Sequence, residues 1–227
     1  MNHFTLILFT LLLFLPARGA TADTETQLIR TNQVSFTHPV KTSRNAAVKI
    51  ISPDGGHGSG IYVTYKKQRG VLTAAHVVDS GSIYKIKTDT EEVLGVVVWT
   101  AKEEDIAFLV VEEEMTRDPV KLAISRHIEA GLKVSYSGYP SSYELLSVNG
   151  QISGFDQRGY ILMQGFGWFG ASGSGVIDRG NKIVGVVTAL PVENFYGHPQ
   201  VMESIILLTP LREEHLEQID QVLKVLN

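Results

Sequence analysis

Between Ala46 and Leu208 the chain is a series of short apolar runs, many of them alternating with polar positions. Stretches rich in glycine and charge separate them. Ala47-Val48-Lys49-Ile50-Ile51 alternates. Gly60 to Tyr65 is β-branched and aromatic. Gly70 to Thr73 follows a Lys66-Lys67-Gln68-Arg69 turn. Further runs occupy 82–88, 93–99 and 106–111, and a second series 133–137, 144–152, 159–164, 174–177, 182–188 and 203–208. Runs of this length and spacing predict an all-β chain, a sandwich or a barrel. The charged stretch Glu112 to Pro119 divides the two series, and residues 112–120 are the candidate linker. Beyond Leu208 the period changes. Leu211, Leu216, Ile219, Val222, Leu223 and Leu226 recur at helical spacing. One amphipathic helix is predicted over 209–226, with Thr209 as N-cap and Pro210 in the first turn, packed on the second half of the chain.

The N-terminal stretch has a different pattern. Phe4 to Leu15 is an apolar run, followed by Pro16-Ala17-Arg18-Gly19-Ala20. A transmembrane helix needs about 20 apolar residues, so this run is short for one. It fits a signal peptide over 1–19, although no Lys or Arg precedes it, and predicts a secreted or periplasmic protein. The alternative is an uncleaved membrane anchor; after cleavage no integral membrane segment is expected. Residues 20–45 are polar and read as a leader with a first strand near Gln33-Val34-Ser35-Phe36.

Composition narrows the function. A chain of 227 residues, 44% hydrophobic and 19% charged, folds rather than staying disordered. Its net charge of −4 offers no basic field, so nucleic acid is not an expected partner. With no cysteine, disulfides, thiolate metal sites and a cysteine nucleophile are excluded. His38, His57, His127 and His215 lack metal-ligand spacing, and His215, among Glu213, Glu214 and Glu217, reads as part of a solvated face. No metal or cofactor is expected.

Three strand-edge motifs carry chemistry. His76 ends Thr73-Ala74-Ala75-His76, Asp105 precedes the apolar strand Ile106 to Val111, and Ser172 lies in Gly170-Ala171-Ser172-Gly173-Ser174-Gly175. A serine hydroxyl becomes nucleophilic when an imidazole takes its proton and a carboxylate orients that imidazole. The chain order His, Asp, Ser distinguishes one lineage of serine hydrolases. The glycines around Ser172 allow a turn that aims the backbone N–H groups of Gly170 and Ser172 at one point, an oxyanion hole. Taken singly, each motif has a plainer reading: a core histidine, a turn-capping aspartate, a Gly/Ser hairpin. Ser174, deeper in the following strand, reads as structural.

Together these residues resemble the chymotrypsin-like (trypsin-like) serine peptidases. The resemblance rests on Gly58-Ser59-Gly60, Thr73 to His76, Asp105-Ile106-Ala107, Gly170 to Ser174 and the strand Ile183 to Thr188, and covers about residues 46–208. Lack of cysteine and short spacers make the chain similar to HtrA-type and glutamyl-endopeptidase-type members. The resemblance implies two six-stranded antiparallel β-barrels, about 46–111 and 121–208, with the active site between them and a C-terminal α-helix. Residues 46–227 would form one protease domain. His76, Asp105 and Ser172 would be the catalytic triad, Gly170 and Ser172 the oxyanion hole, and a protein or peptide the substrate. Ala171 stands where zymogen-activated members carry an aspartate that pairs with a new N-terminus, so that activation is not available. The substrate pocket would be lined by Phe166, Gly167, Thr188, Ala189 and Leu190, beside Trp168, Phe169 and Val187. None is charged, and Val187 stands where glutamyl endopeptidases use a histidine. Small or medium apolar P1 residues are therefore expected. His198 is placed on a surface loop near this pocket. The alternatives are a catalytically silent homologue that binds peptides or partners, and an enzyme that needs a trigger, such as removal of 21–45 or docking of a partner.

Overall fold

The computed structural model describes residues 37–226. The expected signal peptide and the strand near residues 33–36 lie outside them. The first described element corrects the reading of the leader. Val40–Ala46 is a short helix, α1, that runs directly into strand β1, Ala47–Ile51. The polar sequence conceals it because only Val40, Ser43 and Ala46 face inward. Ser43 Oγ meets Ser137 Oγ at 2.9 Å, and Arg44 donates to Leu145 O at 2.8 Å. This places α1 on the second half of the molecule.

The remaining strands of the first half are β2 (His57–Tyr65), β3 (Gln68–Thr73), β4 (Ile83–Lys87), β5 (Glu92–Ala101) and β6 (Ile106–Val111), and β7 (Val120–Lys121) ends the linker. They form the order β1-β4-β5-β6-β3-β2, with β1 also paired to β2, so the six strands close into an antiparallel barrel. Alternation sets the faces. In β4, Tyr84 and Ile86 are buried while Ile83, Lys85 and Lys87 are exposed. Strand β6 is apolar throughout and buried but for Val110, as its sequence requires.

The second half contains β8 (Lys133–Gly138), β9 (Leu146–Phe155), β10 (Ile161–Gln164), β11 (Gly175–Asp178), β12 (Ile183–Ala189) and β15 (Ile205–Pro210), a closed barrel of six. Between β12 and β15 stands a hairpin of β13 (Val192–Phe195) and β14 (His198–Val201), which the sequence pattern did not resolve. All eight of its residues are exposed, so no apolar alternation marks it. Strand β12 is buried on both faces. Val184 and Val187 belong to the core of the second barrel, and Ile183 and Val186 to the core that extends into the first.

The terminal helix differs from expectation in start and placement. Thr209 and Pro210 continue β15, paired with Val186 and Gly185, and the helix α2 runs Glu213–Leu226. Glu213 and Glu214 sit at its first turn, where the helix dipole favours negative charge. It packs on the first barrel, not the second. Leu216, Ile219 and Leu223 join that core, Tyr65 Oη donates to Leu216 O at 3.3 Å, and Trp99 Nε1 donates to Gln218 Oε1 at 3.1 Å. The added strand residues explain this, since they carry the chain out of the second barrel before it coils. Burying three such side chains stabilises the docking by about 6 kcal/mol as an upper figure. No helix among the described residues is long and apolar enough to cross a membrane.

Candidate active site

His76 leaves β3 through Ala74, which is still extended, and lies in a single 3-10 turn, Ala75–Val78. The two small residues let the chain turn sharply there. Asp105 follows another 3-10 turn, Lys102–Glu104, and adopts the left-handed conformation at φ 57°, ψ 51°. This region is costly for a side-chain-bearing residue, and aspartate is among the few that visit it. The two side chains meet face on. Asp105 Oδ2 lies 2.8 Å and Oδ1 3.0 Å from His76 Nδ1, and Oδ1 also accepts the His76 backbone N–H at 2.9 Å. With a carboxylate on Nδ1, the ring carries its proton there and leaves Nε2 as the acceptor.

The two groups shift each other. The hydrogen bond to Asp105 holds the His76 imidazole above its ordinary value of 6.5, against partial burial. For Asp105 burial is the largest influence and pushes upward. The bonds from the His76 ring, the Thr188 hydroxyl and the His76 backbone together outweigh it, and the carboxyl lies below 3.8. Thr188, expected in the substrate pocket, therefore has a second task. Its hydroxyl donates to Asp105 Oδ2 while its residue still borders the cavity. A threonine within an apolar strand gave no signal of this.

The serine loop is shaped by the first barrel. Ser59, fully buried in Gly58-Ser59-Gly60, accepts the Tyr139 N–H at 2.9 Å, donates from Oγ to Gly170 O at 2.7 Å, and donates its own N–H to Ser172 O at 2.8 Å. The sequence flagged this motif without its role. Gly170 and Gly173 stand at φ 92° and 88°. A Cβ on Gly173 would collide with Ser59 O and Thr73 Oγ1. Gly173→Ala is therefore expected to lower stability by about 2–3 kcal/mol, through strain and overlap together, seen as a lower urea midpoint. An unchanged midpoint would show that the loop is not fixed by this approach.

Around Ser172, Ala171 N donates to Trp168 O at 3.0 Å, Gly173 N to Val187 O at 2.7 Å and Ser174 N to Ala171 O at 3.0 Å. Ser141 N meets Phe169 O at 2.6 Å, which turns that carbonyl toward Ser141. Among the described residues, neither the Gly170 N–H nor the Ser172 N–H meets an acceptor. Ser174 is fully buried, and its hydroxyl has no partner among the described residues. It fills the space a side chain at Gly138 would take.

His76 and Ser172 border one cavity of about 370 Å³, with Trp168, Phe169, Val187, Thr188, Ala189, Leu190, Val192 and Val201. No hydrogen bond joins the Ser172 hydroxyl to the imidazole among the described residues; such contacts commonly tighten only once substrate is bound. Of the five residues expected to line the pocket, Thr188, Ala189 and Leu190 do so. Phe166, whose side chain is exposed, and Gly167 do not border this cavity. Phe166 O accepts the Tyr136 hydroxyl at 2.6 Å, and Gly167 lies under Leu190, with no room between them for a further carbon. The hairpin residues Val192 and Val201 replace them. His198 sits on β14, exposed and away from the cavity wall, and His57 Nε2 lies 3.0 Å from Tyr139 O. His215, expected on a solvated face, is fully buried, with Nε2 2.9 Å from Glu104 Oε2.

Two closed six-stranded antiparallel barrels, His76 and Asp105 on the first and Ser172 on the second, make up the chymotrypsin-like fold. The chain matches the trypsin-like peptidase domain family over residues 58–186, more than half its length, and belongs to that family. Among solved structures, the inactive form of the Rv3671c protease is 20% identical with a TM-score of 0.63, over 81% of this chain and 92% of that one. Its organism is M. tuberculosis H37Rv. The serine endoprotease from Yersinia pestis is 18% identical with a TM-score of 0.65, over 85% of this chain and 68% of that one. These two share the fold. No curated protein sequence matches the chain.

Proposed function

We propose that the protein cleaves peptide bonds through Ser172, His76 and Asp105, after small or medium apolar residues. The observation that carries this is a cavity bordered by both His76 and Ser172, whose remaining wall is mostly apolar and carries no charged side chain. In this reading Ser172 Oγ attacks the substrate carbonyl carbon as His76 Nε2 takes its proton. Charge builds on the carbonyl oxygen, and the unengaged N–H groups of Gly170 and Ser172 are its donors, each worth about 3–4 kcal/mol by deletion in comparable sites. Asp105 keeps the proton on Nδ1 and stabilises the imidazolium. The C–N bond then breaks and the amine leaves with the proton from Nε2. Water, deprotonated by the same nitrogen, hydrolyses the ester and restores Ser172.

Leu190 borders the cavity and rests on Gly167, and in this reading it limits the room for a large P1 side chain. Leu190→Gly is expected to raise the preference for P1 Phe over P1 Ala by roughly 10- to 100-fold in kcat/KM, the scale of a few methylenes in an apolar pocket. Cleavage of a peptide library by the wild type tests the reading itself. Cuts after Lys, Arg, Asp or Glu would overturn the assignment of this cavity as the P1 site.

A further inference from the structure

Asp105 holds an unfavourable backbone conformation, and within its own turn the only support is its N–H on Lys102 O at 3.2 Å. The residue before it is tied down far more firmly. Thr209 Oγ1 donates to Glu104 O at 2.7 Å. Arg212 Nη1 donates to Glu104 Oε2 at 2.8 Å, and His215 Nε2 lies 2.9 Å from the same oxygen. All three partners come from the end of β15 and the start of α2. The Glu104 carbonyl belongs to the peptide group that contains the Asp105 nitrogen, so fixing that carbonyl fixes the plane from which Asp105 departs.

The anchor is itself rigid. His215 is completely buried, its ring 5.7 Å from that of Trp99 at 50°. Its Nδ1 accepts the Arg212 backbone N–H at 3.2 Å, so the ring proton sits on Nε2 and is donated to Glu104. An imidazole engaged at both nitrogens has one tautomer and one orientation. Glu104, Glu214 and His215 bring donor atoms together as a metal site would, yet Arg212 Nη1 lies on both carboxylates, 2.8 and 3.4 Å away, where a cation would be. The apolar residues of α2 already dock the helix, and nothing in that docking calls for a carboxylate and an imidazole at its start.

We infer that Glu104, gripped by Arg212 and His215, is a positioning residue that holds Asp105 against His76. The inference rests on Asp105 being the partner of His76, as proposed above. Without this grip the turn at 102–105 is free to leave its left-handed conformation, and the carboxylate drifts from Nδ1. The other charged groups that line a cavity with His76 are Asp79, outside this turn, and Lys102, at its start.

The test is the rate of labelling by a fluorophosphonate probe across pH, with the His76 Nδ1 proton followed by NMR. Glu104→Ala is expected to slow labelling roughly 10- to 100-fold, as a small misplacement of a reacting group does. The acid limb should move to lower pH, and the low-field signal of a carboxylate-bound imidazole proton should weaken. Glu104→Gln, which keeps the shape of the side chain, should shift all three in the same direction by less, and it serves if the alanine variant does not fold. Asp220→Asn is the control. It loosens the contacts of α2 with Lys66 and Lys224 and should leave the rate, the limb and the signal unchanged. A folded Glu104 variant that melts earlier, yet keeps all three wild-type readouts, would reduce the cluster to a helix clamp and overturn the inference. If Asp105→Asn leaves labelling and the His76 signal intact, the pairing of Asp105 with His76 fails first, and the positioning role falls with it.

Discussion

Ser172→Ala should abolish fluorophosphonate labelling and lower peptide hydrolysis by about 10⁶-fold, the scale of losing a nucleophile from a working triad. Thermal unfolding should barely move, because the hydroxyl makes no hydrogen bond among the described residues. The matching control is Ser174→Ala, two residues away. That hydroxyl is buried without a partner, so its removal leaves no orphaned group and is expected to be neutral or slightly stabilising, with activity kept. The pair separates nucleophile from scaffold within one loop. Retained labelling in Ser172→Ala, or its loss only in Ser174→Ala, would reverse the assignment.

Asp105→Asn should cost about 10⁴-fold in kcat while leaving the fold intact. The amide can turn its NH₂ toward the His76 ring, which favours the tautomer protonated on Nε2, the nitrogen that must accept from Ser172. The pH dependence carries a sharper signature. In the wild type His76 is held above 6.5, so activity should rise with pH through a limb above that value, and the limb should move down in the variant. Stability follows the same groups. A raised His76 contributes stability that is complete below 6.5 and lost as pH climbs through its folded value. A lowered Asp105 contributes stability present above 3.8 and lost as pH falls through its folded value. The wild type should therefore exceed Asp105→Asn in melting temperature most between about pH 4 and 6.5, where both charges are present. Parallel melting curves across that range would show that the pair does not interact as its geometry indicates.

Most strands were legible because their signals are local. Runs such as Ile106 to Val111 and Ile183 to Thr188 are apolar enough to be strands in any context, and alternation in β4 names its buried face. The His76, Asp105 and Ser172 motifs were legible because each couples a strand edge to residues that permit a sharp turn. What escaped depends on tertiary partners. The hairpin β13–β14 has no buried face to leave a pattern. Val40 to Ala46 coils because the second barrel receives Ser43 and Arg44. His215, flanked by glutamates, looks solvated in one dimension, yet the first barrel provides a tryptophan face and Glu104 to enclose it. Thr188 and Ser59 carry short hydroxyl side chains whose partners lie across the cleft, and no spacing rule reaches that far. Thr209 and Pro210 fit a helix start by their types, and the pairing with Val186 and Gly185 overrides that preference.

The two flanking helices are exchanged between the barrels: α1 precedes the first and lies on the second, while α2 follows the second and lies on the first. This has a consequence for synthesis on the ribosome. When β6 emerges, the first barrel has all six strands but not the cover over Trp99, which arrives a whole barrel later. Until then Glu104 lacks Arg212 and His215, and Asp105 lacks Thr188. A growing chain thus completes the surroundings of Glu104 and Asp105 only when the second barrel and α2 have been made.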